Sequence, residues 1–136
     1  MKDHVDFGKY GKAFQEGLCQ LIFEDRPFAD QIMEVLDINF LELEYLRVFV
    51  KKLFQYRTKY NMHPVADTIE TILQTELGSE SDLIKEQTCS YFLRIQDRGL
   101  QDSDYIKETA LDFCRKQKLK EAMLHSVDLL RNSSFD

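Results

Sequence analysis

Glycine and proline are scarce in this chain of 136 residues, numbering five and two. Such a composition argues against a turn-rich β sandwich or barrel and favours long helices. No segment approaches the ~20 consecutive apolar residues of a membrane-spanning helix. The first residues, MKDHVD, are also too polar for a signal peptide. We therefore expect an all-α protein of the cytoplasm that does not enter a membrane.

Residues that commonly carry chemistry are few and scattered. The cysteines and histidines are Cys19, Cys89, Cys114, His4, His63 and His125. None of them has the close pairing of a zinc site, and three cysteines leave one unpaired, so we expect reduced, mostly buried thiols. A catalytic Cys–His pair would have to form in space, because nothing local supports one. The carboxylates favour solvated faces and helix caps, so we expect no catalytic, cofactor or metal residues in this chain.

The stretch FGKYGKAF, residues 7–14, raises the possibility of a phosphate-binding loop. A P-loop needs Gly, four residues, and then Gly-Lys-Ser/Thr. Here Gly8 and Gly11 are three apart, and Ala13 stands at the position of the required hydroxyl. The stretch is better interpreted as a flexible N-terminal arm, residues 1–9, that leads into a helix.

The net charge of −6 argues against tight, non-specific binding of nucleic acid by this chain alone. Two basic clusters nevertheless occur, and their interpretation is open between solvated outer faces and a minor DNA or protein contact. Their members are Lys51, Lys52, Arg57, Lys59, Arg115, Lys116, Lys118 and Lys120.

Apolar residues three and four apart predict six helices. Asp25 before Pro27 predicts the start of the second, and the Asn39–Glu42 capping box predicts a third that begins at Phe40. The predicted helices run from Tyr10 to Glu24, briefly from Pro27, from Phe40 to before Pro64, from Val65 to Leu77, from Asp82 to Asp97, and from Ser103 to near Asn132.

These helices predict one domain, an orthogonal bundle of about four helices over residues 10–78 followed by an antiparallel helical hairpin over residues 79–136 that leads to a linker. The short connection favours the hairpin. Because the hairpin is apolar on more than one side, we expect it to mediate self-association, and Phe92→Asp should then lower assembly while helicity survives. The predicted self-association residues are Ile84, Tyr91, Phe92, Ile95, Ile106, Phe113, Leu119, Met123 and Val127.

The order and hydrophobic pattern of the helices resemble those of the N-terminal domain of DnaB-type hexameric replicative DNA helicases, in particular the phage versions. The similar stretches are FGKYGKAFQEGLCQLIFEDRPFADQIMEVL, NFLELEYLRVFVKKLFQYRTKYNMHPVADTIETIL and YIKETALDFCRKQKLKEAMLHSVDLLRNSSFD. Together they cover nearly all of the chain.

The resemblance implies a non-catalytic domain that builds a collar on a helicase ring and docks a primase or helicase loader, in a bacterial or phage-infected cytoplasm. ATP and Mg²⁺ would belong to a RecA-like ATPase domain downstream, in a longer protein of which this chain is a fragment, and DNA would be contacted only through that domain. A rival interpretation is a stand-alone helical adaptor, such as a helicase loader. A third, a small helical enzyme, would need a buried polar cluster.

Overall fold

The computed structural model describes residues 5–133, and this part of the chain is helical, as predicted. Two short 3₁₀ turns, Gly8–Tyr10 and Ile38–Phe40, accompany six α-helices. The helices are α1 Gly11–Glu24, α2 Arg26–Met33, α3 Glu44–Tyr60, α4 Ala66–Thr75, α5 Asp82–Gln96 and α6 Ser103–Ser133. Within the described residues, none of these helices combines the length and apolarity needed to cross a lipid bilayer.

Helix α1 lies at the centre of the fold and packs against α2, α3 and α6. Leu18, Cys19 and Ile22 on this helix are fully buried. Gly17 permits a close crossing with α6, because a Cβ at this position would lie 2.9 Å from the Cδ1 of Ile106.

The predicted pairing of the last two helices as a hairpin is wrong. Helix α5 packs against α3 and α4, whereas α6 packs against α1 and α2. The connection between them is held to α1, since the amide of Gln20 donates to the carbonyl of Arg98 over 2.8 Å. A short connection brings two helix ends together but does not determine which helices pack side by side.

The described part of the predicted N-terminal arm belongs to the core. Phe7 is fully buried, and its ring centroid lies 4.7 Å from that of Phe113 on α6. The backbone N–H of Phe7 donates to the carbonyl of Phe40 over 2.8 Å. Gly11, with a φ of 87°, then turns the chain into α1, a conformation that glycine adopts without strain. The expectation of a flexible arm is therefore corrected for residues 5–9; residues 1–4 lie outside the described part.

Helix α3 begins four residues later than the predicted Phe40. Residues 38–40 form a 3₁₀ turn, and the backbone then extends to Leu43. The reason is a contact with α1: the N–H of Glu42 donates to the side-chain oxygen of Gln15 over 2.8 Å. Asn39 and Glu42 both precede the first residue of α3, so they do not form its capping box and that prediction is wrong.

The start of α2 is confirmed in detail. A side-chain oxygen of Asp25 accepts a hydrogen bond from the N–H of Phe28 over 3.0 Å, and Pro27 lies in the first turn. Helix α5 is capped in the same way, by the Ser81 hydroxyl and the N–H of Ile84. These are local signals, and each caps an otherwise unpaired backbone donor.

A polar junction at His63 holds the end of α3 against α1 and α2. The Nε2 atom of His63 lies 2.6 Å from the carbonyl of Phe23, and its Nδ1 faces the guanidinium of Arg57, which also pairs with Asp30. A carbonyl only accepts and a guanidinium only donates, so the imidazole is neutral with its proton on Nε2. Burial and the neighbouring Arg57 charge lower the pKa of His63.

This junction predicts a loss of stability on mild acidification. The folded pKa of His63 lies below its ordinary value of 6.5, so its contribution is complete above that value and is lost as pH falls through the lower folded pKa. We expect the urea midpoint to decrease as the pH falls from about 7.5 to about 5, a range that includes the ordinary pKa of histidine.

The control is His63→Gln, whose amide offers a donor and an acceptor but does not titrate. We expect its urea midpoint to change less over the same pH range. Equal pH dependence in the two proteins would show that the junction is not responsible.

Candidate association surface

The second half of α6 projects from the body of the protein. The first half buries Ile106, Ala110 and Phe113 against neighbouring elements, whereas every residue from 118 to 133 is exposed. These sixteen residues, here called the α6 arm, span about 24 Å at 1.5 Å per residue. At the base of the arm the Lys118 ammonium donates to the carbonyl of Glu34 over 2.8 Å.

An apolar stripe runs along the α6 arm. It consists of Leu119, Met123, Val127 and Leu130, which are 61%, 61%, 45% and 70% exposed. Their spacings of four, four and three residues place them on one side of the helix. Large side chains in a row at this exposure are typical of a protein-binding helix face rather than of single apolar residues scattered over a surface.

The apolar stripe does not continue the buried face of α6. At about 100° per residue, it lies roughly a third of a turn around the helix from Ile106, Ala110 and Phe113. The change of direction occurs across the polar run RKQK, residues 115–118. The body that buries the first half of α6 therefore cannot cover the stripe by extending the same contact.

The arm and the body carry charge of opposite sign. Residues 118–133 contain three Lys or Arg and two Asp or Glu, whereas residues 5–117 contain fourteen and twenty. Along the stripe, Lys120 and Arg131 lie on one edge, and the small residues Ala122 and Ser126 lie on the other, again at about 100° per residue. A surface that covers the stripe is therefore favoured if it is acidic along one side.

Most of the predicted self-association residues are core residues of this chain. Six of the nine are at most 9% exposed, namely Ile84, Tyr91, Phe92, Ile95, Ile106 and Phe113. They cannot contact a second copy while the fold is intact, because their partners lie in the same chain. The structure brings together only Leu119, Met123 and Val127 as an exposed set, and Leu130 extends it.

A sequence signal could have separated the two groups. The apolar positions of α6 shift to another face of the helix across residues 115–118. A helix with one partner keeps one apolar face, so a shift of face indicates a second partner. The predicted hairpin treated both halves as a single interface and missed this.

A buried polar cluster, which the sequence did not reveal, joins α1 to α3 and α5. The carboxylate of Glu16 accepts a hydrogen bond from the Tyr45 hydroxyl over 2.6 Å and two from Arg94 over 3.0 Å each. Burial raises the pKa of Glu16, but Arg94 and Tyr45 together outweigh it and lower the pKa. The Tyr91 hydroxyl donates to the Glu16 carbonyl. Glu16 is thus ionised, and both of its carboxylate oxygens accept hydrogen bonds from Tyr45 and Arg94. This arrangement suits a role in holding the helices together better than a role in proton transfer.

The buried thiols share this structural character. Burial raises the pKa of Cys19 well above its ordinary value and that of Cys114 to about 12. A thiol of raised pKa is a poor nucleophile, because the thiolate is the reactive form. Within residues 5–133 no three His, Cys, Asp or Glu side chains are grouped as metal ligands would be.

A cleft of about 660 Å³ lies between α3 and α4. Its two walls differ in character. Helix α3 contributes Lys52, Gln55, Tyr56, Lys59 and Tyr60; the other wall consists of Asp67, Thr68, Thr71 and Ile72 on α4 and of Glu76 directly after it. The rings of Tyr56 and Tyr60 contact each other with centroids 4.7 Å apart. The volume lies within the range of about 300–1,000 Å³ that binding sites occupy.

Comparison with known proteins finds no matching family model, no similar curated protein and no similar solved structure.

Proposed function

We propose that this chain is a non-catalytic protein-association domain that assembles with further copies of itself through the α6 arm. The observation that carries the proposal is the apolar stripe, four large side chains exposed along sixteen helical residues that touch little of the body. Burying each such side chain contributes about 1.5–3 kcal/mol. A helix that inserts an apolar face into a groove is a common mode of protein recognition.

The resemblance to DnaB-type helicases supplies a finer form of this proposal. In that form the chain is the oligomerisation and primase- or loader-docking domain of a replicative helicase, and the ATPase domain that uses ATP and Mg²⁺ follows downstream. The order and hydrophobic pattern of the helices support it. Reading the encoding gene tests it: a frame that continues into Gly-x₄-Gly-Lys-Ser/Thr after a predicted strand supports the helicase form, and a stop codon contradicts it.

A stand-alone adaptor is the second candidate, and one observation favours it. Helices α5 and α6 pack on different neighbours, so the fold lacks the packed hairpin on which the helicase interpretation placed self-association. An adaptor should form a 1:1 complex with another protein, such as a helicase, which native mass spectrometry of the mixture would detect.

The α6 arm predicts a specific effect of Leu130→Asp on assembly. A charge on the stripe removes one apolar contact and must be desolvated, so we expect the dissociation constant of self-association to increase roughly 10- to 100-fold. Sedimentation velocity over a range of concentrations measures this directly.

Leu129→Asp is the matched control. Leu129 is the adjacent leucine and is also exposed, at 55%, but it lies off the stripe. We expect it to assemble within about threefold of the natural chain, a difference of less than about 1 kcal/mol. A monomeric natural chain at every concentration, or equal effects of the two variants, would contradict assembly through the stripe.

A further inference from the structure

A second cleft, here called the α1 cleft, lies between α1 and the connection from α5 to α6. Its volume is about 790 Å³, within the range of about 300–1,000 Å³ that binding sites occupy. The α1 side of the cleft consists of Tyr10, Ala13, Phe14, Gly17 and Gln20, which lie on one face of successive helical turns. Ala13 is exposed and Gln20 is fully buried. The cleft therefore deepens over about 10 Å along α1.

The buried end of the α1 cleft holds a hydrogen-bond acceptor that has no donor. The side-chain Nε2 of Gln20 donates to the carbonyl oxygen of Arg98 over 2.8 Å. A carbonyl only accepts, so this bond fixes the amide with its nitrogen toward Arg98. Within residues 5–133 no donor reaches the other atom of the amide, Oε1, which is buried. Because a buried acceptor without a donor is unfavourable, the site favours an occupant that carries an N–H or O–H group.

Aromatic rings border the α1 cleft on both sides. The rings of Tyr10 and Phe14 are stacked, with centroids 4.8 Å apart, and Tyr105 on α6 meets Phe14 edge-on at 6.4 Å. Tyr105 is 59% exposed, so much of its ring is free to pack on an occupant. Aromatic rings pack on one another in offset-stacked or edge-to-face arrangements. These walls therefore suit a planar aromatic ligand.

The charged side chains that line the α1 cleft balance each other. They are Arg98 and Asp102, and the guanidinium of Arg98 also lies 3.5 Å from the Glu16 carboxylate. A lining without net charge favours neither an anion nor a cation. We infer that the α1 cleft binds an uncharged planar aromatic molecule whose ring carries a hydrogen-bond donor for Oε1 of Gln20. This ligand site goes beyond the proposed function, because it does not involve the α6 arm.

An ordered water molecule is the competing occupant, since water also donates to buried acceptors. Two ring compounds of nearly the same shape separate the two possibilities. Indole carries an N–H group in its five-membered ring, and benzofuran carries an oxygen atom in the same place. If water satisfies Oε1, the cleft has no reason to prefer indole. If the ring donor satisfies it, benzofuran would leave two oxygen atoms facing each other without a proton between them.

Titration of the isotope-labelled chain with indole, followed by heteronuclear NMR, tests the inference. We expect a dissociation constant on the order of 1 mM or tighter, with shifted resonances for Gly17, Gly99 and the side-chain amide of Gln20. Benzofuran should bind at least roughly tenfold more weakly. Since a polar N–H group costs more to remove from water than the ether oxygen of benzofuran, a preference for indole indicates that its donor is accepted in the cleft.

Variants locate the binding in the α1 cleft. Ala13→Phe places a larger side chain at the open end and should weaken indole binding at least roughly tenfold. Ala122→Phe is the matched control, the same change at an exposed position of the α6 arm, and should stay within about twofold of the natural chain. Gln20→Leu removes the acceptor and should abolish the preference for indole. The comparison of the two compounds in the natural chain does not require this last variant to fold.

Three results would overturn the inference: equal binding of indole and benzofuran by the natural chain, no shifted resonances in the α1 cleft, or equal indole binding by Ala13→Phe and Ala122→Phe. Self-association through the α6 arm would stand in each case, because it does not use this cleft. A natural chain that stays monomeric would contradict the proposed function and leave the expected binding of indole unchanged.

Discussion

Replacement of Phe7 by alanine is expected to lower the free energy of unfolding by about 3–5 kcal/mol. Phe7 is fully buried and contacts three aromatic rings from other segments, with centroid distances of 4.7 Å to Phe113, 5.9 Å to Phe14 and 6.0 Å to Phe40. Alanine would leave a cavity where α1, the 3₁₀ turn before α3, and α6 meet. Urea denaturation followed by circular dichroism gives the change.

Val5→Ala is the control for this prediction. Val5 lies two residues earlier and is exposed, so we expect a change within about 0.5 kcal/mol. If Phe7→Ala were equally mild, residues 5–9 would not be part of the core. A small domain has only about 5–15 kcal/mol of stability, so the expected loss would be a substantial part of the total.

Phe92→Asp is expected to unfold the domain. Phe92 is 3% exposed, and its ring lies 5.5 Å from that of Phe23 and 6.1 Å from that of Phe49. A carboxylate among these aromatic rings would be desolvated, at a cost of more than about 4 kcal/mol. Far-UV circular dichroism should therefore show a loss of helicity. This reverses the expectation from sequence, which placed Phe92 in an interface between copies.

Leu93→Asp provides the comparison at the adjacent position. Leu93 is 62% exposed, so we expect the variant to keep its helicity and to lose less than about 1 kcal/mol. A folded, helical Phe92→Asp protein would contradict the burial of Phe92 against Phe23 and Phe49 and would revive the predicted interface.

Local signals allowed much of the helical structure to be predicted. The Asp25 cap with Pro27 fixed the start of α2, and the starts of α5 and α6 at Asp82 and Ser103 agree with the structure. In each case the residues that stop or start the helix are neighbours in sequence. Such signals need no knowledge of the rest of the fold.

Contacts between distant segments account for the errors. Gln15 takes the backbone N–H of Glu42, so α3 starts late, and the Phe40 carbonyl holds the N–H of Phe7, so the segment before α1 is ordered. Neither contact can be predicted from the spacing of apolar residues within 7–14 or 38–43. Polar side chains such as Gln15 and Glu16, which are buried, also violate the pattern that identifies core positions.

The candidate site shows a further limit of hydrophobic patterns. Met123 and Phe113 both occupy apolar positions of α6, yet Phe113 is buried and Met123 is 61% exposed. A pattern shows that a face needs covering but does not show whether the cover belongs to the same chain. Only the packing of α6 against α1 and α2 separates the two residues.

The crossing of α6 over α1 at Gly17 also makes the long helix a lever. Ile106, which sits against Gly17, is twenty-seven residues from Ser133, or about 40 Å along the helix axis. A tilt of about five degrees at the crossing would move the far end by roughly 3–4 Å, about the width of one methyl contact. The direction in which the α6 arm projects therefore depends on the packing at Gly17, a core residue far from the exposed surface of the arm.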